Sequence, residues 1–298
     1  MKVSVLYCLH PNDDYSRLQK FIAALAIYPS EKAPIFILCK EVRKKSHYEA
    51  ALKLVQEHVP GIEVRKVPVE GFDLGAYRNF MLASDSEIYI LLSSSSIPTS
   101  PNWVEKLVNP ISQEKTVITG SMVSAESLKS NFALDLAIGV FKRFGLLKHW
   151  LPINRIQTAF LKTIGSLLIP VYLFLHPIYS CKRLFLIPKF PNLHLRTTGI
   201  AVKKSYYLDT VTRAPKNKID AFLLESGKNG LGLCGTNSKF VPYLVTASNE
   251  YRLDEDYEKN FRKVQGQTPL IVDKHYEEFI FANATRKSFL EIRTWGYE

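Results

Sequence analysis

Short apolar runs alternate with helix-spaced patterns through the first half of the chain, and that alternation limits the fold more than any other feature. Strands are expected over Val3 to Leu9, Pro34 to Cys39, Ile62 to Val69, Glu87 to Leu92 and Thr116 to Val123. Between them, helices are expected over Tyr15 to Ile27, Tyr48 to His58, Leu74 to Ala83 and Trp103 to Val108. In the first of these helices Leu18, Phe21, Ile22 and Leu25 recur at helical spacing. Strands and helices in this order predict an α/β fold, a mostly parallel sheet flanked by helices. Such sheets take ligands beyond the carboxyl ends of their strands. Further on, strands are expected over Thr197 to Val202 and Phe240 to Val245, and helices over Lys218 to Gly227 and Glu277 to Ile292. No internal repeat, low-complexity tract or separating linker is visible, so the reading is one elaborated domain over 1–298 with an inserted helical segment over 131–190.

At 298 residues, 46% hydrophobic and 12% aromatic, the chain can fill a core and is not intrinsically disordered. Cys8, Cys39, Cys181 and Cys234 are widely spaced and form no CxxC pair, which excludes a disulfide framework and a zinc knuckle. Unpaired thiols fit a reducing compartment. Met1 to His10 is too short and lacks the cleavage site of a secretory signal before Pro11, Asn12, Asp13 and Asp14, so a cytosolic start is expected.

The net charge of +11 is concentrated. No Asp or Glu occurs between Asp135 and Asp209, while eleven Lys and Arg do; the remainder holds 28 basic and 28 acidic residues. Within that window Ile164 to Cys181 is uncharged and rich in Leu, Ile, Val, Phe and Tyr. Pro170 and Pro177 interrupt it and cations flank it, so an element lying in the membrane interface is expected rather than a crossing. Trp150, Tyr172 and Tyr179 suit that depth. The alternative is a buried helix pair with a solvated basic face. Nucleic acid is disfavoured as a partner, because the cations alternate with aliphatic runs and no helix-turn-helix, zinc-finger or RNP-like motif is present.

Three loops fall at one expected edge of the sheet: Gly71-Phe72-Asp73-Leu74-Gly75-Ala76-Tyr77-Arg78-Asn79, Ser93-Ser94-Ser95-Ser96, and His194-Leu195-Arg196-Thr197-Thr198-Gly199 with Leu224-Glu225-Ser226-Gly227 downstream. These loops, with Gln267 through Asp273 and the terminal Trp295-Gly296, resemble family-2-like GT-A glycosyltransferases, in particular a predicted bacterial polysaccharide glycosyltransferase group. The resemblance covers most of the chain outside the basic segment. It implies a GT-A-like, Rossmann-like fold and transfer of a sugar, with inversion, from a nucleotide-sugar donor to a glycan or lipid-linked acceptor at the cytoplasmic membrane face. It implies that Asp73 contacts the base or ribose, that Arg78 and Asn79 shape the nucleotide pocket, and that Glu225 is the general base.

One departure stands out. Family-2 enzymes end the fourth strand with Asp-x-Asp, which holds Mg²⁺ or Mn²⁺ on the donor pyrophosphate; here the positions are Ser93 and Ser95. Neutral hydroxyls are poor ligands for these ions. That leaves metal-independent catalysis, with His194, Arg196 or a nearby lysine on the leaving group, or a catalytically inactive scaffold. Arg196 is the favoured pyrophosphate contact, since a guanidinium can bind it bidentately. Plainer roles exist for each residue: Asp73 as a helix cap, Arg78 as a solvated side chain, Glu225 as surface charge before a Gly227 helix end, and His194 in a local hydrogen bond. Asp220 and Asp254 are the substitute bases. The glycines at 227, 230, 232 and 235 do not form a phosphate loop.

Overall fold

The computed structural model describes residues 1–10, 15–30, 32–40, 46–59, 61–68, 70–112, 116–144, 155–190, 192–232, 240–253 and 268–291. In chain order its elements are β1 (Val3–Leu9), α1 (Tyr15–Ile27), β2 (Ile35–Lys40), α2 (Ser46–His58), β3 (Glu63–Val67), α3 (Phe72–Leu82), β4 (Ile88–Ser93), β5 (Ile97–Pro98), α4 (Trp103–Val108), β6 (Ile118–Gly120), β7 (Val123–Ser124), α5 (Phe132–Arg143), α6 (Arg155–Leu175) and α7 (Pro177–Leu186). There follow β8 (His194–Leu195), β9 (Ile200–Lys203), α8 (Lys204–Thr210), α9 (Lys218–Ser226), β10 (Tyr243–Val245), β11 (Glu250–Arg252), β12 (Ile271–Val272), α10 (Lys274–Phe281) and α11 (Ala284–Leu290). Contacts group the chain into two compact units: Met1–Val123 with His194–Glu225 and Asn229–Lys274, and Ser124–Leu193 with Ser226–Lys228 and His275–Glu298.

The first unit holds an eight-stranded sheet in the order β11-β10-β6-β9-β4-β1-β2-β3. The pairs β1–β2, β2–β3, β1–β4 and β6–β10 are parallel; β9 runs antiparallel between β4 and β6. The expected α/β, Rossmann-like architecture is therefore present. The strands β1, β2 and β4 are buried on both faces, as a sheet covered by helices on both sides requires. Val5, Tyr7 and Leu9 point to the core shared with α1 and α4, where Tyr7 stacks on Phe21 with ring centroids 4.2 Å apart and Trp103 is fully buried. Leu6 and Cys8 alternate to the opposite face, where Cys8 meets Asp73 of α3.

Three expected elements differ in the structure. The run 116–123 is broken at Ser121, whose hydroxyl both donates to the Ile271 carbonyl (2.9 Å) and accepts from the Ile271 amide (2.7 Å). This polar bridge turns the chain out of the sheet between β6 and β7. The run 197–202 begins as a 3-10 turn over Thr197–Gly199, because Thr197 is held by Glu225, and only then enters β9. The terminal helix is two helices: Asn283 caps α11 by accepting from the Arg286 amide (2.9 Å), so the chain restarts there. Ile292 lies outside the described residues, as do Asp13, Asp14, Trp150, Cys234, Gly235, Asp254, Gln267, Trp295 and Gly296.

The second unit contains α5, α6 and α7. Gly165 of α6 faces α5 so closely that a Cβ there would lie 1.7 Å from the Ala133 carbonyl oxygen. Leu134, Ala137 and Leu161 form the contact core, and Phe132 meets Tyr172 edge-on at 5.7 Å. Arg183 is buried, pairs with Asp135 and lies over the Phe132 ring at 4.6 Å.

Burial pushes the Cys39 thiol up from 9.0 to about 11. The unfolded chain then releases this proton first, so folding stability falls as pH rises from about 9 through about 11. Urea unfolding midpoints measured across that range should decline, and Cys39→Ala should flatten the decline. A midpoint constant with pH in the wild-type chain contradicts this.

Candidate active site

Three neighbouring parallel strands bring polar groups to their carboxyl ends: Cys8 near the end of β1, Lys40 at the end of β2 and Ser93 at the end of β4. Cys8 is in register with Ser93 across the β1–β4 pair. Because β9 is antiparallel to β4, the turn that precedes it, Thr197–Gly199, arrives at the same edge. Topology alone thus gathers segments that are more than a hundred residues apart in sequence.

Lys40 is the centre of the first part of this edge. Its Nζ donates to Asp73 Oδ1 at 2.7 Å; the lysine side chain is 3% exposed and the carboxylate 37%. The buried ammonium has the carboxylate as its counter-charge, and the carboxylate keeps an open side. Cys8 Sγ donates to the same Oδ1 at 3.5 Å. Beneath them Tyr77 donates to the Leu92 carbonyl (2.7 Å) and Tyr207 to the Leu74 carbonyl (2.8 Å). Burial, reinforced by the Asp73 charge, holds the Cys8 thiol and both phenols well above their usual pKa values. The floor of the edge is therefore buried and neutral under an ion pair.

A cavity of about 560 Å³ opens beside Lys40, lined by His10, Glu70, Gly71, Phe72, Ala214, Pro215 and Lys216. Its back wall needs glycine. Gly71 has φ +82°, and a Cβ there would lie 2.7 Å from the Ala214 Cβ; at Gly75 the corresponding distance is 3.3 Å. Phe72 also has positive φ, 52°, in a conformation unusual for a bulky residue. The glycines of the 71–79 loop thus let the 214–216 segment close against the start of α3.

The serine tetrad continues the edge. Ser93 Oγ lies 3.1 Å from Ser95 Oγ and 3.2 Å from Ser96 Oγ, and Ser96 Oγ donates to the Thr198 carbonyl. Thr197 Oγ1 donates to Glu225 Oε1 at 2.7 Å, with the Thr197 amide at 3.4 Å. The half-buried Glu225 is thereby oriented by the turn that the serines also touch. Arg196 pairs with Asp273, whose side chain is 1% exposed, at 2.8 Å.

Among the residues expected at the site, Asp73, Ser93, Ser95, Arg196 and Glu225 lie along this one edge. Asp73 is not a cap: Gly71 occupies the cap position, with no side-chain cap bond. Arg78 is half-buried and donates through Nε to the Val211 carbonyl (2.9 Å), tying α3 to the end of α8. Asn79 is exposed on α3, some 240° around the helix from Asp73. His194 is buried in β8. Sequence reading missed Lys40, Cys8 and Lys216, and gave Thr197 and Asp273 only as members of motif segments, with no role of their own. A lysine ending an apolar strand was the available signal for the first.

The group at the end of β4 does not fit a divalent ion. Its oxygens are neutral hydroxyls bonded to each other and to a carbonyl, whereas Mg²⁺ and Mn²⁺ favour carboxylate oxygens. Among the described residues no cluster of three or more His, Cys, Asp or Glu could hold a metal.

No family model matches the sequence. No curated protein matches it either. Solved structures overlap it in part. Glucosyl-3-phosphoglycerate synthase from Mycobacterium tuberculosis, solved with Mn²⁺, UDP and phosphoglyceric acid, is 13% identical, with a TM-score of 0.35 over 69% of this chain and 56% of its own. A mannosyltransferase from Pyrobaculum calidifontis, with GDP-Man and Mn²⁺, is 9% identical, with a TM-score of 0.38 over 74% and 48%. GalNAc-T7, with UDP, GalNAc and Mn²⁺, is 22% identical, with a TM-score of 0.34 over 40% and 22%. The chain thus spans about half or less of the length of these three structures.

Removing the Asp73 carboxylate leaves a buried ammonium unpaired. Asp73→Ala should therefore lose about 1–3 kcal/mol in urea unfolding. The double variant Asp73→Ala/Lys40→Met should regain most of it. A neutral Asp73→Ala would remove the ion pair from its central place.

Proposed function

We propose that this chain is a GT-A-like glycosyltransferase that moves a sugar from a nucleotide-sugar donor to a glycan or lipid-linked acceptor at the cytoplasmic face of a membrane. The observation that carries this reading is the set of polar groups at the strand ends: the Lys40–Asp73 pair beside the cavity, the serine tetrad, and Thr197 with Glu225. The volume suits a nucleotide-sized ligand. The open side of Asp73 accepts hydrogen bonds from a ribose or base. Ser93 and Ser95 hydroxyls, with Lys216 and His10 at the cavity wall, face the diphosphate. These groups, rather than an ion, receive the charge that develops as the nucleoside diphosphate leaves.

Glu225 takes the proton. The acceptor hydroxyl attacks the anomeric carbon and the bond to the diphosphate breaks. The hydroxyl proton passes to the carboxylate that Thr197 orients, and the configuration inverts. Arg196 is held by Asp273 and braces the turn carrying Thr197; through that turn it bears on the pyrophosphate side.

A second reading, a catalytically inactive scaffold, is favoured by the same serines, which already satisfy one another. Calorimetric titration with UDP and GDP, in EDTA and in Mn²⁺, together with transfer assays, separates the two. Binding that survives EDTA, with transfer lost in Glu225→Gln but donor affinity kept, is the expected result. Binding without turnover for any donor supports the scaffold. Unchanged turnover in Glu225→Gln removes this residue as the base.

A further inference from the structure

The helix α6 is apolar on the side that faces α5 and apolar again on the side that faces away. Its 157–175 stretch has a mean hydropathy of 1.7 and is only 17% buried, so it is not a buried core helix. Phe160, Leu167, Val171, Phe174 and Leu175 are exposed, Leu167 by 75% and Phe174 by 85%. At 3.6 residues per turn these five fall within an arc of about 100° and run for about 22 Å. Ile178, Phe185 and Leu186 of α7 are exposed too. The hydroxyls on the open side are turned inward: Thr163 donates to the Ala159 carbonyl (3.1 Å) and Ser166 to the Lys162 carbonyl (2.8 Å).

Charge identifies the occupant. From residue 136 to 193 the chain has eight cations and no acid. Arg183 is spent on Asp135, but Lys142, Arg143 and Lys189 are exposed. An apolar stripe on a segment with a surplus of exposed cations is complementary to a bilayer with anionic head groups. The other side of α6 decides its orientation. Gly165 brings its backbone against Ala133 of α5, a helix that carries Asp135, Lys142 and Arg143. A helix bound along one side to a charged helix can enter lipid only with its opposite side.

We propose that the open stripe of α6, continued by α7, lies in the plane of an anionic bilayer without crossing it. This deepens the membrane part of the reading above and stands apart from its donor chemistry.

The test uses the full chain and sedimentation with vesicles of phosphatidylcholine, with and without phosphatidylglycerol. Binding should require phosphatidylglycerol, weaken with salt and be released by alkaline carbonate. Leu167→Gln/Val171→Gln/Phe174→Gln should bind at least about tenfold more weakly, with its circular dichroism and UDP titration unchanged. Lys142→Glu/Lys189→Glu should lose the preference for anionic vesicles. Equal binding by the triple variant, no vesicle binding by the wild type, or carbonate-resistant insertion overturns the proposal. So does a vesicle-free dimer that the triple variant abolishes, which would assign the stripe to a second copy. UDP titration of the same samples reads the donor chemistry separately, so either idea can fail alone.

Discussion

Strand β9, inserted antiparallel between β4 and β6, is the constraint on which the candidate site depends. A purely parallel sheet would bring only loops that follow strands to its carboxyl edge. The reversed strand brings a loop that precedes one, and with it Arg196, Thr197 and Thr198. The long excursion between β6 and β9 returns to this point. Gly120 and Gly199 keep the junction tight: a Cβ at Gly120 would lie 2.8 Å from Leu195, and one at Gly199 would lie 3.1 Å from Ile271. The energetic support is burial of Ile200, Ala201 and Val202 beside Ile90 and Leu91, so the site's geometry is fixed by core packing, not by loop hydrogen bonds alone.

Upon this frame sits an uneven ion pair. A lysine that is almost wholly buried faces a carboxylate that is more than a third exposed. A pair of this kind contributes little net stability once desolvation is counted. Its consequence is directional: the ammonium fixes one carboxylate oxygen and leaves the other edge of Asp73 toward solvent. The neutral Cys8, Tyr77 and Tyr207 beneath it have no charge to offer a ligand. In the proposed reading, recognition at this end of the edge falls to Asp73 and the cavity wall.

Most of the sheet was legible because its strands are apolar on both faces and its helices show a clear period. The Val3–Leu9, Tyr15–Ile27 and Trp103–Val108 bounds match the expected ones. What failed did so where a side-chain hydrogen bond overrides local pattern, at Ser121, Thr197 and Asn283. Strands of two residues, such as β5 and β12, exist only through tertiary pairing and leave no periodic trace. In the site, the motif loops announced Asp73 and Glu225, since glycines and carboxylates stand out in sequence. Lys40 did not, because its partner on α3 is 33 residues away and only tertiary packing joins them. Nor did the pairing of Asp273, because Arg196 is far from it in sequence and only the fold brings the two together.

Ligand recognition at the strand ends, by Asp73 and cavity-wall groups without a carboxylate-held ion, is the central claim. Photolabelling with an azido-UDP in EDTA, followed by peptide mapping, tests it most directly. Adducts confined to the segments holding His10, Lys40, Gly71–Tyr77 and Ala214–Lys216, and competed by UDP, are the outcome the account requires. Competed adducts mapping elsewhere in the chain, or labelling that appears only when Mn²⁺ is added, would contradict it.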